Sequence, residues 1–196
     1  MNAQTTNKNE ESMADEYGKA IARDTVRLER LLPGPIERVW RYLTESDARG
    51  KWLATGNMEL KVGGTVEHIF NNNALTGHDD PPPPKYEKHA CSSTMTGRVT
   101  HCDPPNLLAY TWGEESGEDS HVRFELDRRG DKVRLVVTHS RLVSRDMMLS
   151  VAAGWHAHIG ILIDRLNGRA PESFWPMHTR LEAAYEKIIP STPAQN

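Results

Sequence analysis

The stretch "GWHAHIGILIDRLNG", Gly154–Gly168, sets His156 and His158 inside an apolar run with one residue between them. On an α-helix, at about 100° per residue, these side chains point about 200° apart, so both cannot hold one ion. Metal-binding helices use i, i+4 histidines, as in H-E-x-x-H, and the chain has no such motif. A wheel drawn from Trp155 gathers Ile159, Leu162, Ile163 and Leu166 within about 80° of it. The run reads as a helix that covers an apolar surface, with the two histidines on opposite borders of the stripe. Of the pair, His158 is the one expected to reach inward.

The surface to be covered lies just upstream. In "HVRFELDRRG" Val122, Phe124 and Leu126 share one face and Arg123 and Glu125 the other; in "DKVRLVVTH" Val133, Leu135, Val137 and His139 share a face. Such alternation marks an antiparallel sheet with one side buried and one wet. "TMTGRVTHC" and "LLAYTWG" continue it, with turn formers between them. His139 extends an apolar register and is expected on the inner face at a strand end.

Nearer the N-terminus, "IARDTVRLERLL" over 21–32 alternates as one strand, and "PGP" stops it. In "PIERVWRYLTE" Ile36, Val39, Trp40 and Leu43 fall at i, i+3, i+4, i+7, which predicts an amphipathic helix. "SDARGKWLA" predicts a second short helix capped by Ser46 or Asp47, with Trp52 and Leu53 turned inward. "MELKVGGTVEHIF" reads as a hairpin around Gly63-Gly64. Residues 71–93 hold four consecutive prolines, which lack the amide donors of a ladder, and form a long loop or insertion. The long helix is expected from about Arg145 to Leu166, followed by a helical piece in "ESFWPMHTRLEAAYEKII". The fold class is α+β: about seven curved antiparallel strands, two short helices and a long C-terminal helix.

Composition narrows the function. At 196 residues, with 24 Lys+Arg against 27 Asp+Glu, the chain suits one domain of mixed surface charge, with no basic block for nucleic acid. No apolar run approaches the ~18 residues of a membrane span, so a soluble, cytoplasmic protein is expected. Residues 1–20 are polar and read as a disordered tail, 21–168 as the domain, and 169–196 as a helical extension that docks on the domain or leaves a homodimer contact open. Cys91 and Cys102 are expected as thiols. His101, Cys102 and Asp103 alternate across a strand and cannot share a ligand. Glu114-Glu115 sits in a turn, solvated. There is no Gly-rich phosphate loop, no G-x-S-x-G elbow and no C-x-x-C, so no metal, cofactor or catalytic residue is assigned.

The early strand with its proline and "ERVWRYLT", the "VGGTVE" turn, "RFELDRRGDKVRLVVTHS" and above all "GWHAHIGILIDRL" together resemble the helix-grip fold of the SRPBCC superfamily, over roughly residues 22–168. That superfamily includes START domains, the birch-pollen allergen and polyketide cyclases. The branch most similar is that of bacterial proteins named for the C-terminal domain of the activator of the 90-kilodalton heat-shock protein's ATPase. The resemblance implies a cavity between the concave sheet and the long helix, holding a small hydrophobic molecule. Trp52, Tyr110, Trp112 and Phe124 would line it from the sheet side, with His139 as a polar group. Trp155, His158, Ile159 and Leu162 would line it from the helix. Non-enzymatic binding is the leading expectation. The alternatives are a cyclase- or hydrolase-type enzyme using His139, His158 or Tyr110 as acid-base groups, and a co-regulator with a chaperone as partner.

Overall fold

The computed structural model describes residues 17–78, 81–89, 92–113 and 120–191. Alternating apolar positions build seven strands: β1 (Lys19–Ala22), β2 (Thr25–Pro33), β3 (Thr65–Phe70), β4 (Ser93–Asp103), β5 (Leu107–Trp112), β6 (Ser120–Arg129) and β7 (Lys132–Ser140). They form one antiparallel sheet in the order β1-β2-β7-β6-β5-β4-β3. The helices are α1 (Ile36–Thr44), α2 (Ser46–Arg49), α3 (Arg145–Leu166) and α4 (Phe174–Ile188), with a 3₁₀ turn at Pro84–His89. The α+β helix-grip architecture is the one expected.

Register explains the inner face. Val26 pairs with His139, His139 with Val122, and Val122 with Tyr110, so one row of side chains runs across four strands toward the core. The next row is Leu28, Val137, Phe124 and Leu108. The sheet bends at β4, where the pairing with β5 shifts between Val99 and His101. Gly97 permits the close approach there: a Cβ at that position would lie 2.0 Å from the Thr111 carbonyl oxygen.

α3 crosses this face. Ser144 caps it, its hydroxyl accepting from Met147 N–H at 3.1 Å. By length and composition α3 could cross a membrane, contrary to the sequence expectation, but 56% of its most apolar stretch is buried within the protein. Such a helix is apolar nearly all round because the sheet takes one side and α4 another.

Four sequence expectations change. The single early strand is two, β1 and β2, joined by a tight turn. "MELK" forms no strand: only isolated bridges, Met58 with Val66 and Thr55 with Ile69, reach β3, because the Glu59 carboxylate takes the Thr65 N–H at 2.9 Å and curls the chain. α2 has no side-chain cap, since the Ser46 hydroxyl accepts from Gly56 N–H at 3.0 Å instead. The boundary at 20 also moves. Tyr17 sets its ring edge-on to His156 and Tyr185 at 5.1 and 5.5 Å, and Gly18 N–H donates to the Tyr185 hydroxyl at 2.8 Å. The C-terminal helical piece packs on the domain: α4 carries Phe174, Trp175, Leu181 and Tyr185 into the core. The first sixteen residues, Cys91 and Glu114-Glu115 lie outside the described residues; Cys102 is a free thiol.

The fully buried Tyr185 joins the N-terminal segment to both long helices, its hydroxyl also lying 3.1 Å from His156 Nδ1. Tyr185→Phe is expected to lower the unfolding free energy by about 2 kcal/mol in urea titration, since the buried Gly18 N–H loses its acceptor. Arg49, equally buried, donates to the carbonyls of Thr44 at 2.8 Å and Gly56 at 2.6 Å, tying the end of α1 to the loop before β3.

Candidate functional site

Where β3, β4, β5 and β7 end beside α3 and α4, the structure forms a cavity of about 420 Å³ that is open on one side to solvent. Its wall is largely aromatic: Phe70 and Trp112 from the sheet, Trp155 from α3, Phe174 and Trp175 from α4, and Tyr86 from the proline-rich insertion. Met95, Leu53 and Val151 fill between them, and His139, His158 and His178 are its histidines.

The insertion is pinned as a roof. Tyr86 stacks on Trp175 at 5.7 Å and meets His178 edge-on at 4.9 Å. The Tyr86 hydroxyl and the Lys85 ammonium both donate to Glu182 Oε1, at 2.7 and 2.6 Å. Trp175 Nε1–H donates to Asn73 Oδ1 at 2.6 Å, and the Arg165 guanidinium to the Leu75 carbonyl at 3.1 Å.

His139 stands where its register put it, at the end of β7 and 1% exposed. Trp155 Nε1–H can only donate, and it does so to His139 Nδ1 at 2.9 Å. The ring proton therefore sits on Nε2, which donates to Ser120 Oγ at 2.8 Å. Desolvation, with a smaller effect from His121, pushes the His139 pKa down to about 3. The ring is neutral and both nitrogens are committed. His158 donates from Nδ1 to the Trp52 carbonyl at 2.7 Å; burial brings it down to about 4, against the pull of that bond. His156, on the far side of α3, is held at about 4 by burial and the nearby Arg30. The two histidines of the opening stretch thus serve different neighbours, as their angular separation requires.

Of the residues expected to line the cavity, Trp112, His139, Trp155 and His158 do so. Trp52, Tyr110, Phe124, Ile159 and Leu162 do not; they are core beneath it. Trp52 Nε1–H donates to the Tyr42 carbonyl at 2.7 Å, Tyr110 bonds His68 at 3.1 Å through its hydroxyl, and Phe124 lies between Tyr110 and Trp155 at 5.9 and 5.4 Å. Inward-pointing positions away from the strand ends meet side chains rather than space. Tyr110, His139 and His158, the acid-base groups of the alternative reading, engage separate partners: His68, Ser120 with Trp155, and the Trp52 carbonyl. Among the described residues no cluster of His, Cys, Asp or Glu could hold a metal ion. Sequence reasoning missed Tyr86, Trp175 and His178; the signal lay in the aromatics of "FWPMH" and in one tyrosine among prolines.

Residues 33–167 match the family described as activator of Hsp90 ATPase homolog 1-like protein. A protein of Bordetella parapertussis, solved by solution NMR, is 41% identical over 92% of this chain and 94% of its own, with a TM-score of 0.74. The crystal structure of CalU16 from Micromonospora echinospora shares the fold at 21% identity, covering 85% of this chain and 89% of its own, with a TM-score of 0.62. DynU16, from the dynemicin biosynthetic locus, does so at 19% identity over 76% of this chain and 49% of its own, with a TM-score of 0.58. No curated protein matches in sequence. The helix that decides the fold lies inside the matched residues, and the chain belongs to the activator of Hsp90 ATPase homolog 1-like family, within the helix-grip SRPBCC superfamily.

Proposed function

We propose that the protein binds a small, flat, neutral molecule in the aromatic cavity and performs no chemistry on it. The observation that carries this reading is a wall of six aromatic side chains around open space, in which the one histidine poised by the sheet has both nitrogens occupied by protein partners. A general base needs a free lone pair near the proton it takes, and His139, committed on both nitrogens, is not placed to act as one. Its neutral ring also supplies no counter-charge for an acidic ligand. Aromatic faces favour stacking and edge-on contact with a planar guest.

Gly154 supports the same reading. Glycine within a helix costs about 1 kcal/mol relative to alanine, yet it stands in the middle of α3, in the cavity wall. A Cβ there would meet nothing within 4 Å, so the residue leaves space that a side chain would fill.

The test uses that space. Native mass spectrometry and thermal shift of the full chain against a panel of neutral aromatic compounds should give saturable binding with quenching of tryptophan fluorescence. Gly154→Leu should fold at least as stably and lose binding by more than about tenfold, because its Cβ enters open space and the side chain occupies the site. No binding by the native chain, or undiminished binding by the plugged variant, sinks the reading.

A further inference from the structure

Two polar atoms in the cavity residues lack any hydrogen-bond partner: Asn72 Oδ1 and His178 Nδ1, both shut off from solvent. The polar groups at the sheet end are committed, His139 to Trp155 and Ser120, and His158 Nδ1 to the Trp52 carbonyl. Buried polar groups are nearly always paired, so two unpaired ones beside an open cavity mark where a guest's polar group belongs.

The two atoms have the same sense. An amide oxygen only accepts. The His178 ring is 3% exposed, and burial holds it below its ordinary pKa, while the Glu182 carboxylate and a bond from the ring to the Ser150 main chain pull the other way. In the neutral ring with its proton on Nε2, the unpartnered Nδ1 carries a lone pair and accepts as well. Both residues line the same cavity. Asn73, adjacent to Asn72, holds the Trp175 indole, whose ring lies 5.9 Å from that of His178. His178 lies beyond the residues that the family match covers, whereas Asn72 lies within them.

Resting on the binding function proposed above, we infer that the cavity selects aromatic molecules bearing a hydrogen-bond donor, a ring N–H or a phenolic hydroxyl, which Asn72 Oδ1 or His178 Nδ1 accepts. The aromatic wall takes the ring and one of these acceptors takes the donor. A guest without a donor leaves both acceptors unpaired and loses affinity for that reason, since a site built to bond a group rejects the analogue lacking it.

The full chain is titrated by calorimetry with indole and with N-methylindole, which differ chiefly in the N–H. Indole is expected to bind about tenfold more tightly. Asn72→Leu and His178→Phe should each narrow that ratio, and together remove it, while N-methylindole affinity stays within about twofold and thereby reports an intact cavity. Equal binding of both probes by the native chain, or a ratio that survives the double substitution, overturns the inference and leaves the binding function standing. Binding of neither probe overturns both.

Discussion

Acidification from about pH 7 to about pH 5 is expected to destabilise the protein strongly, before its carboxylates titrate. Three buried histidines and one half-buried are neutral: His68 and His139, whose pKa values are pushed down to about 3, and His158 with the half-buried His156, pushed down to about 4. Desolvation is the largest cause for each, and none is paired with an acid that would favour its charged form. In the unfolded chain they return to the ordinary value of 6.5. The unfolded state therefore binds protons first. Stability is fully present above pH 6.5 and falls as the pH drops toward the folded values.

By pH 5 each of the four favours the unfolded state by about 2 kcal/mol, and together by about 8 kcal/mol. That is of the order of a domain's whole stability, about 5–15 kcal/mol. His121 and His178, also held below their ordinary pKa by burial, act in the same direction. Urea titrations at a series of pH values check this. The unfolding free energy should fall between pH 6 and 5 with a slope of about three to four protons. A urea midpoint that holds steady down to pH 5 would show these rings to be solvated or otherwise compensated.

How far this was legible in the sequence depends on what a periodic pattern encodes. Alternation in β6 and β7 assigned the inner face correctly, down to His139 at its end, because side-chain direction in a strand has a period of two. The helix from Arg145 to Leu166 was equally plain, since an apolar stripe of that length has few other uses. Pattern, however, says only that a side chain points inward, not whether atoms or space stand opposite. Tyr110 and Trp112 point the same way from β5, and one meets His68 while the other meets the cavity. The roof was illegible for another reason. Tyr86 meets Glu182 at a sequence separation of 96, and Asn73 meets Trp175 at one of 102, and no local period records such pairings. An insertion and a terminal helix, each taken as peripheral, supply much of the wall because they pack on one another.

Trp155→Ala is expected to destabilise the protein by about 5 kcal/mol, the largest effect of any single substitution in the wall. Two losses combine. The indole fills the junction between sheet and cavity, edge-on to Trp112 at 5.1 Å and to Phe124 at 5.4 Å, and removing it leaves a void that those rings cannot close while the strands hold them. Its N–H also holds His139 Nδ1, which is left as an unpaired acceptor in a desolvated site. Trp155→Phe separates the two. It keeps most of the ring and loses only the donor, and should cost about 2 kcal/mol. Chemical unfolding of both variants near neutral pH decides the matter. A phenylalanine variant as stable as the native chain would mean that the indole N–H contributes nothing and His139 is positioned by Ser120 alone. Equal losses in the two variants would mean that the bond, rather than the packing, dominates. The expected order, alanine well below phenylalanine and phenylalanine below tryptophan, follows only if Trp155 is at once a filler of the core and the donor that satisfies His139 Nδ1.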